Sequence, residues 1–325
     1  NGPFTLVIVG DRSPIYEQRA TSKGLAEVNA KTFDAKSKYR AWTGGGHKIH
    51  ATNSVQETWH DLVLLLGREA DNYLGENPPR WSGSLALLKP QQRELFGCKG
   101  WGSLEDLFYA LNATVDYMVL RNFEGFPETL FAAEHPDIDF LTAQQQEFVY
   151  VANASKHHLY PRRVMHKLQI GERTIPCDIR YRGDNYYDSA WQSELLSRRQ
   201  LHADGFYVPS DEDYFYSLLY HGLIHKRLFA DDYINRLLEL SQAIGLADIC
   251  QDTLRDRDRA LGLLQRYLSD KAYEFTVPDD YSVVANKAGV AGIRGRLLPS
   301  IERRIVDVAR VVHAHTIARG RKTSG

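Results

Sequence analysis

Three acidic residues in short strand-like segments constrain this chain more than any other feature. In IDFLT, residues 138–142, β-branched and aromatic residues alternate with polar ones, the period-two pattern of a strand. Asp137 and Asp139 are two residues apart there, so their side chains leave the same face. TIPCDIRY, residues 174–181, has the same pattern, with Thr174, Asp178 and Arg180 on one face and Ile175, Cys177 and Ile179 on the other. DYMVLRNF, residues 116–123, is a further strand. If the Asp178 strand lies beside the Asp139 strand, three carboxylates crowd one sheet face. They repel one another unless a hard divalent cation sits between them, and Mg²⁺ or Mn²⁺ with substrate phosphates suits such oxygens. Any single Asp reads better as a solvated strand end; the D-x-D pair with a later strand Asp points to a metal site.

These segments, LRNFEGFPE, PDIDFLT and CDIR, resemble the core of nucleotidyltransferase-fold proteins of the DNA polymerase β type. Within that group the chain is similar to bacterial nucleotidyltransferases and phosphosugar transferases, over roughly residues 103–226. The resemblance implies that Asp137, Asp139 and Asp178 are catalytic and bind Mg²⁺ or Mn²⁺. It departs at the Gly-Ser that cradles nucleotide phosphates: Arg121, Asn122 and Glu124 stand there instead. Those three, with Arg180, Arg182, His221 and Lys226, are the candidate substrate-binding residues. The implied activity is nucleotidyl, phosphoryl or phosphosugar transfer to a sugar or polyol in cell-surface glycan biosynthesis. The implied partner is a nucleotide, nucleotide sugar or phosphorylated sugar. Two alternatives stand beside it: a non-catalytic binding module with a degenerate acidic site, and a glycosyltransferase using a phosphorylated donor.

Composition narrows the classes. The chain has 325 residues, 43% hydrophobic and 25% charged, with a net charge of −1, enough for a sizeable core in two or three domains. Near-neutrality argues against general nucleic-acid binding. Cys98, Cys177 and Cys250 are widely spaced without a CxxC, which fits buried, reduced thiols in a cytoplasmic protein. No apolar run reaches the length of a membrane span. The opening NGPFTLVIVG lacks Met and enters a strand at once, as an excised piece of a longer protein does.

Residues 4–67 have their own character. FTLVIVG reads as a buried strand, residues 14–24 as a helix, and the stretch from Tyr39 to Thr52 as a second strand and a Gly-rich turn. A helix over 55–66 follows, with Ser54 as N-cap, Glu57 completing a capping box, and Val55, Trp59, Leu62, Val63 and Leu66 on its buried stripe. HKIHATNSVQETWHD is similar to the active-site segment in the second half of a nucleoside diphosphate kinase. There His47 stands for an Asn, His50 for the phosphate-accepting His, Thr52 for a Ser and Asp61 for a Glu. Upstream, Arg19, Gly24, Asn29 and Arg40 follow that family's order. Ala51, Thr52 and Asn53 replace the family's Gly, Ser and Asp, so His50 reads as the relic of a phosphohistidine.

The expected fold class is α+β. A partial kinase-like α/β segment occupies 1–75, and a linker with one short strand or turn, SLALL, occupies 76–102. A nucleotidyltransferase-type mixed sheet with helices occupies 103–210 and a helical domain 211–325. Ser103 caps a helix with Leu104, Leu107, Phe108 and Leu111 on its core side. Lys156, His157, His158, Arg162, Arg163, His166 and Lys167 form a basic cluster, read either as a phosphate clamp or as a solvated edge. Tyr186, Tyr187 and Trp191, just past Asp178, could stack on a base or sugar but read more readily as core. A helix begun after Ser210 runs past Lys226, with Phe215, Leu218, Leu219 and Leu223 as its stripe. His221 and His225 share a face and read as phosphate or substrate contacts, with a zinc HxxxH or a surface His pair as alternatives. From Lys287 onward nine Lys or Arg face two acids, and a basic helix over 299–318 offers peripheral contact with anionic lipid or a partner. The relic reading of His50 has a direct check. Incubation with radiolabelled ATP is expected to leave no acid-labile, base-stable label, whereas label abolished by His50→Ala would make it a working phosphohistidine.

Overall fold

The computed structural model describes residues 4–21, 24–46, 48–74, 92–132, 136–157, 163–226, 231–280, 282–283 and 286. The SLALL turn, most of the 76–102 linker, His47 and the basic helix over 299–318 lie outside the described residues. The chain divides into two compact units. One comprises Asn1–Val115, Tyr150–Asn153 and Gln169–Arg173; the other comprises Asp116–Val149, Ala154–Leu168 and Thr174–Gly325.

The first unit departs most from its sequence pattern. Strands β1 (Tyr16–Thr21) and β2 (Gly24–Asn29) pair antiparallel, from Tyr16 opposite Asn29 to Thr21 opposite Gly24. Gly24 has φ +109°, a conformation that favours glycine, and Thr21 Oγ1 donates to its carbonyl at 2.7 Å. The helix expected over 14–24 is therefore a hairpin, because YEQRAT and GLAEVN carry no apolar stripe at helical spacing. FTLVIVG is not a strand either: Phe4, Val7 and Val9 are exposed. A β-branched run becomes a strand only where a neighbour takes its backbone groups, and β1 and β2 satisfy each other. Helix α1 (Ala30–Trp42) replaces the start of the expected second strand. Its Ala, Lys and Arg are good helix formers, and Asn29 caps it by accepting from the Thr32 N–H at 3.4 Å. Lys36 is buried on it and reaches Asn53 Oδ1 at 2.6 Å.

Helix α2 (Val55–Leu66) matches its expected span. Ser54 Oγ accepts from the Glu57 N–H at 3.1 Å, while the Glu57 carboxylate accepts from the Asn53 N–H. Its stripe is narrower than the spacing suggests, with Leu62 and Val63 buried but Val55 and Trp59 exposed. Helix α3 (Leu104–Thr114) is capped by Ser103 as expected, accepting from the Asp106 N–H at 3.2 Å, and packs on α2 through a fully apolar face.

The second unit carries a five-stranded sheet built from β3 (Tyr117–Val119), β4 (Ile138–Thr142), β5 (Ser155–Lys156), β6 (Met165–Ile170) and β7 (Arg173–Tyr181). Helices α4 (Glu128–Ala132) and α5 (Gln145–Val151) interrupt it along the chain. The strand order is β3-β4-β7-β6-β5, with β3 antiparallel and β7 parallel to β4. One face presents Tyr117, Val119, Ile138, Phe140, Cys177 and Ile179, all buried, and Phe140 packs on Phe148 of α5 at 4.8 Å. The opposite face carries Asp139, Asp178 and Arg180. The fold class is therefore α+β with a mixed sheet.

Helix α6 (Ser189–Ser197) and the hairpin of β8 (Gln200–Leu201) with β9 (Tyr207–Val208) lead to α7 (Asp211–Tyr220). Helices α8 (Asp231–Ala243), α9 (Gln251–Arg255) and α10 (Arg257–Asp270) complete the described structure. Trp191, Tyr187 and Tyr220 are buried among one another, and Trp191 stacks on Tyr273 at 5.6 Å. This confirms Tyr187 and Trp191 as core. Ser210 caps α7, and its neighbour Asp213 is fully buried yet ionically satisfied by Arg198, through Nη2 at 2.7 Å and Nε at 3.0 Å. A buried carboxylate stripped of its cation keeps its desolvation cost without the compensating attraction. Arg198→Ala is expected to cost about 3 kcal/mol, the low end of the range for breaking a buried pair, since Ser210 still donates to Asp213. Urea denaturation at neutral pH measures it.

Candidate functional site

The register of the sheet assembles the acidic site. Parallel pairing sets Asp139 of β4 directly opposite Asp178 of β7. Both side chains leave the face that lacks the apolar cluster, and Asp137 lies just before β4. The adjacency expected from the two alternating patterns is thus present. Asp139 is 5% exposed, Asp178 half-buried and Asp137 exposed.

Two arginines meet these carboxylates. Arg121 follows β3 and places Nη2 2.8 Å from Asp139 Oδ1, both side chains being buried. Arg180, two residues beyond Asp178 on the same strand face, places Nη2 2.8 Å from Asp178 Oδ2. Its Nη1 approaches Asp280 Oδ2 at 3.3 Å. Asp280 is buried and its other oxygen accepts from the Ser282 N–H and hydroxyl at 2.9 and 2.7 Å. Burial raises the Asp139 carboxyl to about 6, Arg121 opposes that, and the neighbouring Asp178 and Asp137 reinforce it. Burial works against the charge of Arg121, but Asp139 together with Tyr186, Tyr187 and Tyr233 outweighs it and keeps the guanidinium ionised. Among the described residues, no three His, Cys, Asp or Glu side chains are grouped so as to hold a metal ion as they stand.

Behind the carboxylates lies a cluster the sequence did not announce, centred on Tyr186. Its hydroxyl is 2.7 Å from His221 Nδ1, and its ring lies 4.0 Å from the His225 ring. The guanidinium groups of Arg180 and Arg121 stand 4.4 and 5.8 Å from the same ring. The two histidines come together because α7 widens after Tyr220 into a π turn over His221–His225. That turn ends the helix before Lys226, which is extended and exposed, and so corrects the expectation that the helix runs through it. Both histidines are buried, not a surface pair. Burial holds their pKa values well below the ordinary 6.5, reinforced by Arg121 at His221 and by Arg180 and Arg121 at His225.

The remaining candidates separate. Arg121 turns inward, whereas Asn122 and Glu124 turn to α7 and α8. Arg236 donates to Asn122 Oδ1 at 3.0 Å and pairs with Glu124 at 3.0 Å, while the Tyr214 hydroxyl donates to Glu124 at 2.7 Å. Asn122 has φ +58°, the left-handed conformation that Asn tolerates, and this reverses the chain after Arg121. Arg182 is exposed at the end of β7. Of the basic cluster, His158 and Arg162 lie outside the described residues. His166 is buried against the Val164 carbonyl at 2.7 Å, so the cluster does not form one solvated edge. In the first unit His50 Nε2 lies 3.3 Å from Asp61, which also accepts from His60 at 3.0 Å. Cys177 is buried as expected, but Cys98 and Cys250 are exposed; all three thiols are free.

No protein-family model, curated protein or solved structure matches the chain. Among the described residues no helix is long and apolar enough to cross a membrane. Sequence reasoning missed Asp280. It offered Tyr186 as core or as a stacking aromatic and His225 as a phosphate or substrate contact, but only the fold brings Tyr186 against Arg180.

The depressed histidines give a signed pH dependence. In the unfolded chain each titrates near 6.5, while in the folded protein each stays neutral to lower pH. The unfolded state therefore binds more protons as pH falls, and the contribution to stability present above 6.5 is lost below it. His225→Leu is expected to flatten the fall in stability between pH 7 and pH 5 relative to the unmutated protein, read as denaturant midpoints across that range.

Proposed function

We propose that the second unit is a divalent-metal-dependent transferase acting on a phosphorylated or nucleotide-activated sugar or polyol. The observation carrying this reading is the lateral pairing of Asp139 and Asp178 on adjacent parallel strands, with the exposed Asp137 just before β4 and close enough to act on Asp139. Burial raises the Asp139 carboxyl and the neighbouring Asp178 and Asp137 add to it, an electrostatic condition that a cation relieves. Asp137, Asp139 and Asp178 fit a Mg²⁺ or Mn²⁺ ion once Arg121 and Arg180 release one carboxylate each. When bound, such an ion lowers the pKa of an acceptor hydroxyl and shields phosphoryl charge. Arg121 and Arg180, released from their carboxylates, are then placed to meet phosphoryl oxygens, and exposed Lys226 adds a cation beside the π turn. The net charge of −1 favours a small substrate over a polynucleotide, whose affinity depends on many phosphate contacts.

A second reading has its own support. Arginine already neutralises Asp139 and Asp178, and no three ligand side chains among the described residues are grouped for a metal. On that reading the unit is a binding module whose carboxylates are structural. Calorimetry with Mn²⁺ separates the two. The transferase reading expects saturable binding that weakens roughly tenfold or more in Asp178→Asn, because a hard cation loses one of its anionic ligands. It also expects a thermal shift with a nucleotide sugar only when Mg²⁺ is present. Absence of Mn²⁺ binding selects the module; undiminished binding in the variant moves the ion elsewhere.

A further inference from the structure

The Tyr186 cluster leaves several strong donors unused. Arg121 Nη1, Arg180 Nε and His221 Nε2 are buried without a hydrogen-bond partner. An unpaired buried donor costs on the order of 1–3 kcal/mol, so a concentration of them beside one ring calls for an explanation. Packing errors scatter such atoms; these gather around a single side chain, within the distances given above. The His221 and His225 rings are 5.6 Å apart, and Arg121 is the charge acting most strongly on His221.

The Tyr186 hydroxyl and His221 Nδ1 lie 2.7 Å apart, and either can donate to the other. When the phenol donates, the neutral imidazole accepts at Nδ1 and carries its proton on Nε2. In that tautomer His221 presents a buried N–H, and Arg121, the charge acting most strongly on it, has an uncommitted Nη1. Two fixed donors, one of them cationic, match the oxygens of an anion and offer nothing to a cation.

We infer that Arg121 Nη1 and His221 Nε2, backed by Arg180 and His225 around the Tyr186 ring, form an anion site that takes a phosphoryl or diphosphoryl group. The half-exposed Asp178 and exposed Lys226 flank it. This deepens the transferase reading by naming where the phosphate end of the substrate sits. The site nevertheless rests on the unused donors, and binding there needs no metal. It also moves the phosphate contacts away from the β5–β6 cluster, where His166 is spent on a backbone carbonyl.

The test titrates the whole chain with pyrophosphate, and in parallel with orthophosphate, in EDTA-containing buffer by calorimetry. Saturable pyrophosphate or orthophosphate binding is expected, and the preferred anion tells a diphosphate from a single phosphoryl group. His221→Phe, which removes the Nε2 donor, is expected to weaken binding roughly tenfold or more. Tyr186→Phe, a smaller change, frees the tautomer and is expected to weaken it several-fold, so the inference stays testable if His221→Phe misfolds. In Asp178→Asn, affinity is expected to hold or rise, since one competing negative charge is gone. Lack of binding by both anions overturns the site, as does binding untouched by either cluster variant. Binding lost in Asp178→Asn would also overturn it, by showing that the anion enters through a metal. Because EDTA removes the metal, failure of Mn²⁺ binding and failure of this site are separate results.

Discussion

The structure of the second unit depends on how charge is buried on one face of its sheet. Asp139 sits in β4, between β3 and β7, almost fully covered, and could not remain there as an isolated anion. Arg121 compensates it from the end of β3, and that pairing requires the chain to turn sharply at Asn122. The same turn sends Glu124 out to Tyr214 and Arg236. One ion pair thus sets the path of the loop that links β3 to the helices.

Arg180 plays the companion role from the strand beside it. Its guanidinium is shared between Asp178 and Asp280, and Asp280 is in turn fixed by Ser282. The segment after α10 is therefore fastened to the sheet through an arginine that also faces the acidic pair. Asp279 adds a second tie, its N–H donating to the Asp184 carbonyl at 2.9 Å and its carboxylate accepting from Asn185 at 3.1 Å. Replacing such buried pairs with apolar groups is often no less stable, so their presence beside unused donors is more readily understood as chemistry than as stability.

Local pattern reached far into this fold. Alternation gave β4 and β7, and caps at Ser54, Ser103 and Ser210 gave the starts of α2, α3 and α7, because these signals depend on neighbours in sequence. It failed where partners decide. FTLVIVG has strand composition but exposed side chains, and YEQRAT became a strand only through its hairpin with GLAEVN. The site was legible in the same measure: Asp137, Asp139, Asp178, Arg121, Arg180 and His221 were identifiable, while Asn122, Glu124 and, of the basic cluster, His166 found other partners.

The sequence by itself determined that Asp139 and Asp178 would lie on strand faces, with Asp137 at the start of the first, since the period of a strand fixes which side each residue leaves. It also determined the apolar opposite face that anchors those strands. Only the tertiary structure decided that β7 lies parallel to β4 in the register that sets Asp178 against Asp139. It alone decided that arginines cover both carboxylates, and that a π turn brings two histidines against Tyr186. Register and helix widening arise from contacts between residues far apart in the chain, and a local pattern holds no record of them.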